Sequence, residues 1–444
     1  MDDNQNVGIN AVSGDNGAKK PFSWKRMLFW LAIFLAVAGW YSISDYRFSN
    51  NSDDWRIRGD FTNYSFAASR VLMDGGDPYD QDQVGKNYKY FPLNALLLAP
   101  LTPFPIPVAQ GLFLGINALL LIWAIMAHRE LAGPSRIGFL GWLMAFLFGG
   151  RYILISIQLG QWNLPVYTLT ILGLWQILAQ GHRWRGALLV GLATGIKFMP
   201  GFFIFYFLIK KQYKTALALV VCALFWILIF PSIFLGPQRH VELLKTYHAE
   251  SVDRLEDMVG DESVVGHSLS VTIIAYLTEV KKHSVHRFGR EINILDLPLE
   301  TSSKIAHAVC FILLGMTLYI LWRRRSAIDP GKGLIMELGF FFVMLLLISP
   351  EVRKAQFIGF FTAGMGLGMH MAECAAPRWE RRLAWGVFVA SALLMVFSSA
   401  ILPRAGRNWM HAHGSLTLVI LLIFISLGII LWRKPKPLPD KRPS

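Results

Sequence analysis

From about residue 27 to residue 432 the chain repeats one pattern: an apolar run, a short polar break that often carries basic residues, and another apolar run. Several runs, such as 215–235 and 416–432, approach the roughly 20 residues with which a helix crosses a hydrocarbon layer about 30 Å thick. In lipid every backbone polar group needs an internal partner, and a helix supplies one within a single segment. The pattern predicts an all-α polytopic membrane protein. Spans are expected near 27–44, 90–104, 107–127, 136–150, 163–180, 186–196, 198–209, 214–236, 304–322, 334–348, 355–372, 384–402 and 415–432. The stretch 151–161 reads as a broken segment that dips part-way and returns. This gives about 12–14 crossings, some of them short and broken by Pro92, Pro100, Pro165, Pro200 and Pro350. Backbone freed by such breaks survives at membrane depth only inside protein or along a wet cavity, so a cavity open to the outer face is expected.

The basic residues set the orientation. Lys19-Lys20, His182-Arg183, Lys210-Lys211, Arg323-Arg324-Arg325, Arg381-Arg382 and Arg433-Lys434 flank apolar runs, and Lys and Arg are retained on the cytoplasmic side. Placing all of them inside gives a disordered cytoplasmic head at 1–26, a transmembrane domain at 27–432 and a basic cytoplasmic tail at 433–444. The run at 27–44 is longer than the usual apolar region of a cleaved signal peptide and reads as a retained first span. Long extracytoplasmic loops then fall at 45–88 and 237–303. The acids played no part in this map, yet eight Asp lie in 45–82 and eleven Asp or Glu in 237–303, two thirds of the total of 29. The expected location is the plasma membrane, multi-pass, with both termini cytoplasmic.

Composition agrees with the pattern: 54% of the 444 residues are hydrophobic and 16% charged. The net charge of +14 raises the question of nucleic acid, but the cations sit between apolar runs, where they orient spans. No nucleic-acid partner is expected. Cys222, Cys310 and Cys374 are scattered and imply neither a disulfide framework nor a zinc site.

Polar groups within or beside apolar runs are the candidates for chemistry. Asp60, Tyr64, Ala67 and Val71 fall on one side of a short helix that Gly75-Gly76 would end. Asp60 reads either as that helix's cap or as a general base tuned by nearby lipid. Asp77 and Tyr79 follow it. Tyr90, ahead of Pro92, is an interfacial anchor or part of a binding face. Gln161 and Asn163 either bond neighbouring helices or line a substrate groove. Lys197 stands alone in about 25 apolar or small residues; it snorkels to the interface or meets an anion such as phosphate. His267-Ser268 opens an apolar stretch in the second outer loop, and Arg353, Lys354 and Gln356 interrupt another as a solvated hairpin or a binding element.

Taken in order, Asp60-Phe61 with Tyr64, Gly75-Gly76-Asp77-Pro78-Tyr79, Tyr90 with Pro92, Gly160-Gln161 with Asn163, Gly191 to Lys197 with Pro200, His267-Ser268-Leu269 and Ser349-Pro350 resemble glycosyltransferase family 87. Its members have the GT-C fold and include polyprenol-phosphate-mannose-dependent mannosyltransferases. The resemblance implies a hexosyltransferase with a polyprenyl-phosphate-linked sugar as donor and a lipid or glycan as acceptor. It implies no cofactor and no metal, and a site facing away from the cytoplasm. It makes Asp60 the general base. Donor and acceptor would be held by Tyr64, Asp77, Tyr79, Tyr90, Gln161, Asn163, Lys197, His267, Ser268, Arg353, Lys354 and Gln356. Where many relatives continue Ser-Pro with a Trp and paired histidines, this chain has Glu351 to Gln356, which brings cations there. A transporter or flippase also explains an intramembrane Lys and broken helices, but the two related halves common in transporters are not seen. A polysaccharide ligase or polymerase would use the same lipid carriers.

Overall fold

The computed structural model describes residues 60–61, 65–84, 88–258, 263–283, 289–325, 330–350, 352–374, 376–397 and 402–433. The expected head, the span at 27–44, most of the first outer loop, Tyr64 and the tail beyond Arg433 lie outside the described residues.

The first described helix, α1 (Phe66–Met73), ends where Gly75 takes a φ of +88°. It packs on the short α2 (Pro92–Leu98), whose proline stands at the first helical position, where no backbone donor is needed. Next come α3 (Ile106–Leu131), α4 (Phe139–Leu159), α5 (Asn163–Leu178) and α6 (Arg183–Ile196). A turn at Met199–Phe202 leads into α7 (Phe203–Ile209), followed by α8 (Tyr213–Leu235) and α9 (Pro237–Met258). Three strands, β1 (Ser263–Val265), β2 (Lys281–His283) and β3 (Gly289–Glu291), form a small sheet in the order β1-β2-β3, with α10 (Leu269–Leu277) between the first two. The chain continues through α11 (Leu299–Arg323), α12 (Lys332–Ile348), α13 (Phe360–Met371), α14 (Arg378–Val396), α15 (Arg404–Ala412) and α16 (Ser415–Trp432).

Helices α3, α4, α8, α11 and α16 are long and apolar enough to cross a membrane. Their outward faces carry side chains such as Leu217, Ile233 and Phe311, which hydrocarbon accommodates and water does not. This is a multi-pass membrane protein. Helix α12 lies buried along nearly its whole length against α13 and α16, and Phe340 stacks on Phe424 with ring centroids 4.7 Å apart.

Some expected boundaries shift. The stretch 151–161 does not dip and return: α4 runs on to Leu159 through a π-helical turn at Phe146–Gly150. One wide turn absorbs an extra residue and keeps the helix going, at the price of a local offset. The region 237–303 is not a simple loop either. It holds amphipathic α9, the sheet and the apolar α10, since alternation over three-residue strands leaves no trace in a hydropathy pattern.

Candidate active site

Helices α5 and α6 form a tight antiparallel hairpin. A methyl group on Gly186 would come 2.4 Å from the Gly173 carbonyl oxygen, so the two backbones touch where no side chain fits between them. An antiparallel hairpin brings the first residue of one helix level with the residue after the other, which here are Asn163 and Lys197. A helix of 16 residues, as α5 is, rises about 24 Å, less than the ~30 Å of hydrocarbon. At one end of the hairpin Asn163 is buried within the protein. The opposite end carries His182, Arg183 and Arg185.

Lys197 stops α6 by taking an extended conformation, and its ammonium donates to Asn163 Oδ1 at 2.5 Å. It also stands 5.6 Å from the centre of the Tyr90 ring. Asn163 Nδ2 donates to Gln161 Oε1 at 2.6 Å, and Gln161 Nε2 donates to the Asp60 carboxylate. Every orientation in this chain is forced. An ammonium only donates, so the Asn163 oxygen faces Lys197; an ionised carboxylate only accepts, so the Gln161 nitrogen faces Asp60. The result is a polarised row from cation to anion.

A glycine puts Asp60 in place. Gly160 ends α4 in the left-handed region, with φ +59°, and a Cβ there would lie 2.6 Å from the Phe61 Cβ. Residues 60–61 thus rest on the bare backbone of the turn that presents Gln161. Phe61 is fully buried, stacked on Phe66 with ring centroids 5.5 Å apart and tilted against Phe113 at 5.0 Å.

Beside Lys197 lies a cavity of about 110 Å³, lined by Asn163, Val166, Tyr167, Lys197, Leu346 and Gln356 among others. Its walls are mostly apolar, with the ammonium and two amides converging on it. Sites for small molecules have this character.

The remaining candidates divide. Asp77 accepts from the Tyr79 amide at 2.9 Å and so shapes its own turn, while the Tyr79 hydroxyl donates to the Tyr90 carbonyl at 2.8 Å. Both residues brace Tyr90 from behind. Next to them Tyr88 donates to Asn94 Oδ1 at 2.9 Å, and burial together with the neighbouring Tyr79 and Tyr90 phenols pushes its hydroxyl well above the usual range. Ser268 caps α10 by accepting from the Val271 amide at 3.2 Å, a structural task. His267 and Lys354 gather elsewhere, around His411 of α15: Lys354 donates to His411 Nε2 at 3.0 Å, and the two histidine rings are 5.3 Å apart. Arg353 is exposed in the same loop. Burial, followed by the Arg151 and Arg407 guanidiniums, lowers Lys354 to about 8. Arg151, Arg407 and His411 were not foreseen from sequence. A lone Arg between the apolar stretches of α4, and the i,i+4 spacing of Arg407 and His411, are signals that a closer reading could use. Among the described residues no group of acids, histidines and cysteines is arranged to hold a metal ion.

A profile of glycosyltransferase family 87 matches residues 88–350, well over half of the chain. The chain belongs to glycosyltransferase family 87. The match takes in Tyr90, Gln161, Asn163, Lys197 and His267 and begins after Asp60. One relative in Mycolicibacterium smegmatis is a polyprenol-phosphate-mannose-dependent alpha-(1-2)-phosphatidylinositol mannoside mannosyltransferase. It is 25% identical over 161 residues, which span 33% of this chain and 36% of the relative. The matched stretch thus spans about a third of that relative's length. No solved structure matches.

Proposed function

We propose that this glycosyltransferase moves a sugar from a polyprenyl-phosphate-linked donor to a hydroxyl of a lipid or glycan acceptor, with Asp60 as the general base. The observation that carries the reading is the row Asp60-Gln161-Asn163-Lys197, which holds a carboxylate and an ammonium at opposite ends of one rigid element beside an apolar cavity. Gln161 occupies Asp60 Oδ2, which leaves Oδ1 to take the proton from the acceptor hydroxyl. As the acceptor oxygen bonds to the anomeric carbon, the bond from that carbon to the phosphate oxygen breaks and its electron pair leaves with polyprenyl phosphate. A single displacement of this kind inverts the anomeric centre. Lys197 faces the negative charge that grows on the leaving phosphate, and a fixed cation in a dry site stabilises such charge strongly.

The apolar walls of the cavity suit the first isoprene units of the donor. The basic end of the α5–α6 hairpin lies opposite Lys197, and basic clusters stay on the cytoplasmic side, which supports an extracytoplasmic site in the plasma membrane. The relative's printed donor and acceptor support a polyprenyl-phosphate sugar and a lipid in general.

Purified protein in nanodiscs, supplied with membrane lipid extract, is expected to transfer mannose from polyprenyl-phosphate mannose and not from GDP-mannose. Transfer from the nucleotide sugar alone, or from neither it nor any polyprenyl-phosphate hexose or pentose, contradicts the reading.

A further inference from the structure

Helix α8 carries two interruptions in one short stretch. The first is a π-helical turn at Phe225–Ile229, where the Phe230 amide donates to the Phe225 carbonyl five residues back. The second is Pro231, which has no amide hydrogen for the carbonyl four residues back, that of Ile227. A helix carbonyl in lipid needs another donor. It comes from α9: Nε2 of His240, whose side chain is 1% exposed, donates to Ile227 O at 2.9 Å. A carbonyl only accepts, so the imidazole carries its hydrogen on Nε2.

The same turn of α8 is the surface on which α6 rests. A Cβ on Gly191 would come 2.7 Å from the Cys222 carbonyl carbon. One on Gly195, a turn further on, would come 2.6 Å from Leu93 Cδ2 of α2 and 3.3 Å from Trp226 Cβ. Trp226 Nε1 also donates to the Leu188 carbonyl of α6 at 3.0 Å. Gly195 stands two residues before Lys197, which leaves the helix there and donates to Asn163. Close-packed backbones have no side chain to absorb a displacement, so a shift of the 225–229 turn passes directly to the end of α6.

We propose that His240 is a positioning residue for sugar transfer. By meeting the carbonyl that Pro231 leaves without an amide, it fixes the π-helical turn against Gly195 and so sets where the Lys197 ammonium stands. It acts through Lys197 and not by contact with substrate. This rests on the reading of Lys197 as the cation that faces the leaving phosphate.

The test is a double-mutant cycle in full-length protein in nanodiscs, assayed with polyprenyl-phosphate mannose and enough enzyme to follow slow variants. His240→Phe keeps an aromatic ring and removes the donor. Its kcat is expected to fall about 10- to 100-fold, as a displacement of about 1 Å at a reacting group does, with the donor KM within a few-fold of wild type. His240→Gln, whose Nε2 can meet the same carbonyl, is expected to recover most of the loss. In a Lys197→Met background His240→Phe is expected to change kcat less than about twofold, because no ammonium is left to displace. Gly195→Ala presses on the same contact from the α6 side without altering His240. It is expected to lower kcat in the same way, again only in protein that carries Lys197. Wild-type kcat in His240→Phe, a Gln variant no better than the Phe variant, or equal losses with and without Lys197 overturns the proposal alone. Wild-type kcat in Lys197→Met overturns the reading of Lys197, and the proposal with it.

Discussion

The Lys197 ammonium and the Asp60 carboxylate are joined through two amides, Asn163 and Gln161, each oriented by its charged neighbour. Such a row makes the two ends interdependent: the cation polarises both amides toward the carboxylate, and each amide is held in the one orientation that satisfies both sides. Asn163→Leu cuts the row while leaving both charges in place. It is expected to lower kcat by about 10- to 100-fold with a smaller change in donor affinity. Steady-state kinetics with polyprenyl-phosphate mannose measure the split.

Gly160 carries the contact on which Asp60 rests. Gly160→Ala places a methyl group against Phe61 and forces a side chain into a left-handed backbone, a strain of about 1–2 kcal/mol. The variant is expected to lose most of its transfer activity while its thermal unfolding in detergent moves by only a few degrees. The combination identifies a residue that sets geometry rather than one that holds the helices together.

Arg239 of α9 reaches across to the loop after α1, where its Nη2 donates to the Leu72 and Gly76 carbonyls, both at 3.0 Å. Those carbonyls close α1 and lead into the Asp77 turn that braces Tyr90. Arg239→Met removes both bonds, leaving Leu72 O with the Gly75 amide, and loosens that support. We expect KM for the donor to rise several-fold with kcat less affected, and Arg239→Lys to restore part of the loss through one of the two bonds.

The lowered Lys354 ammonium gives a pH signature. Its folded value of about 8 lies below the 10.5 of a free lysine, so the folded protein gains stability as pH rises from about 8 toward 10.5. Thermal unfolding in nanodiscs between about pH 7 and pH 10.5 is expected to follow this trend, and Lys354→Met is expected to flatten it.

Much of this was legible because membrane sequences make polar residues conspicuous. Gln161, Asn163 and Lys197 stand out within apolar runs, where each needs a partner, and the structure makes them one another's partners. Other features depended on facts that no pattern carries. A π-helical turn differs from an α-helical one by a single residue, so α4 read as a span followed by a broken dip. Ser268 has the same sequence appearance as a ligand-binding serine, and only the Val271 amide shows it to be a cap. Lys354 stood out from sequence, but the cations that act on it come from α4 and α15, more than 50 residues away on one side and 200 on the other. Only the folded chain brings them together.

The central claim is that Asp60 takes the proton from the acceptor. The most direct test compares wild type, Asp60→Asn and Asp60→Glu in one nanodisc preparation, measuring both binding of polyprenyl-phosphate mannose and transfer of its sugar to lipid. Asp60→Asn keeps the shape and the bond to Gln161 but has no basic oxygen, so transfer is expected to fall by about 10²- to 10⁴-fold while donor binding stays within a few-fold of wild type. Asp60→Glu is expected to retain a measurable fraction. Transfer by Asp60→Asn at the wild-type rate would contradict the account.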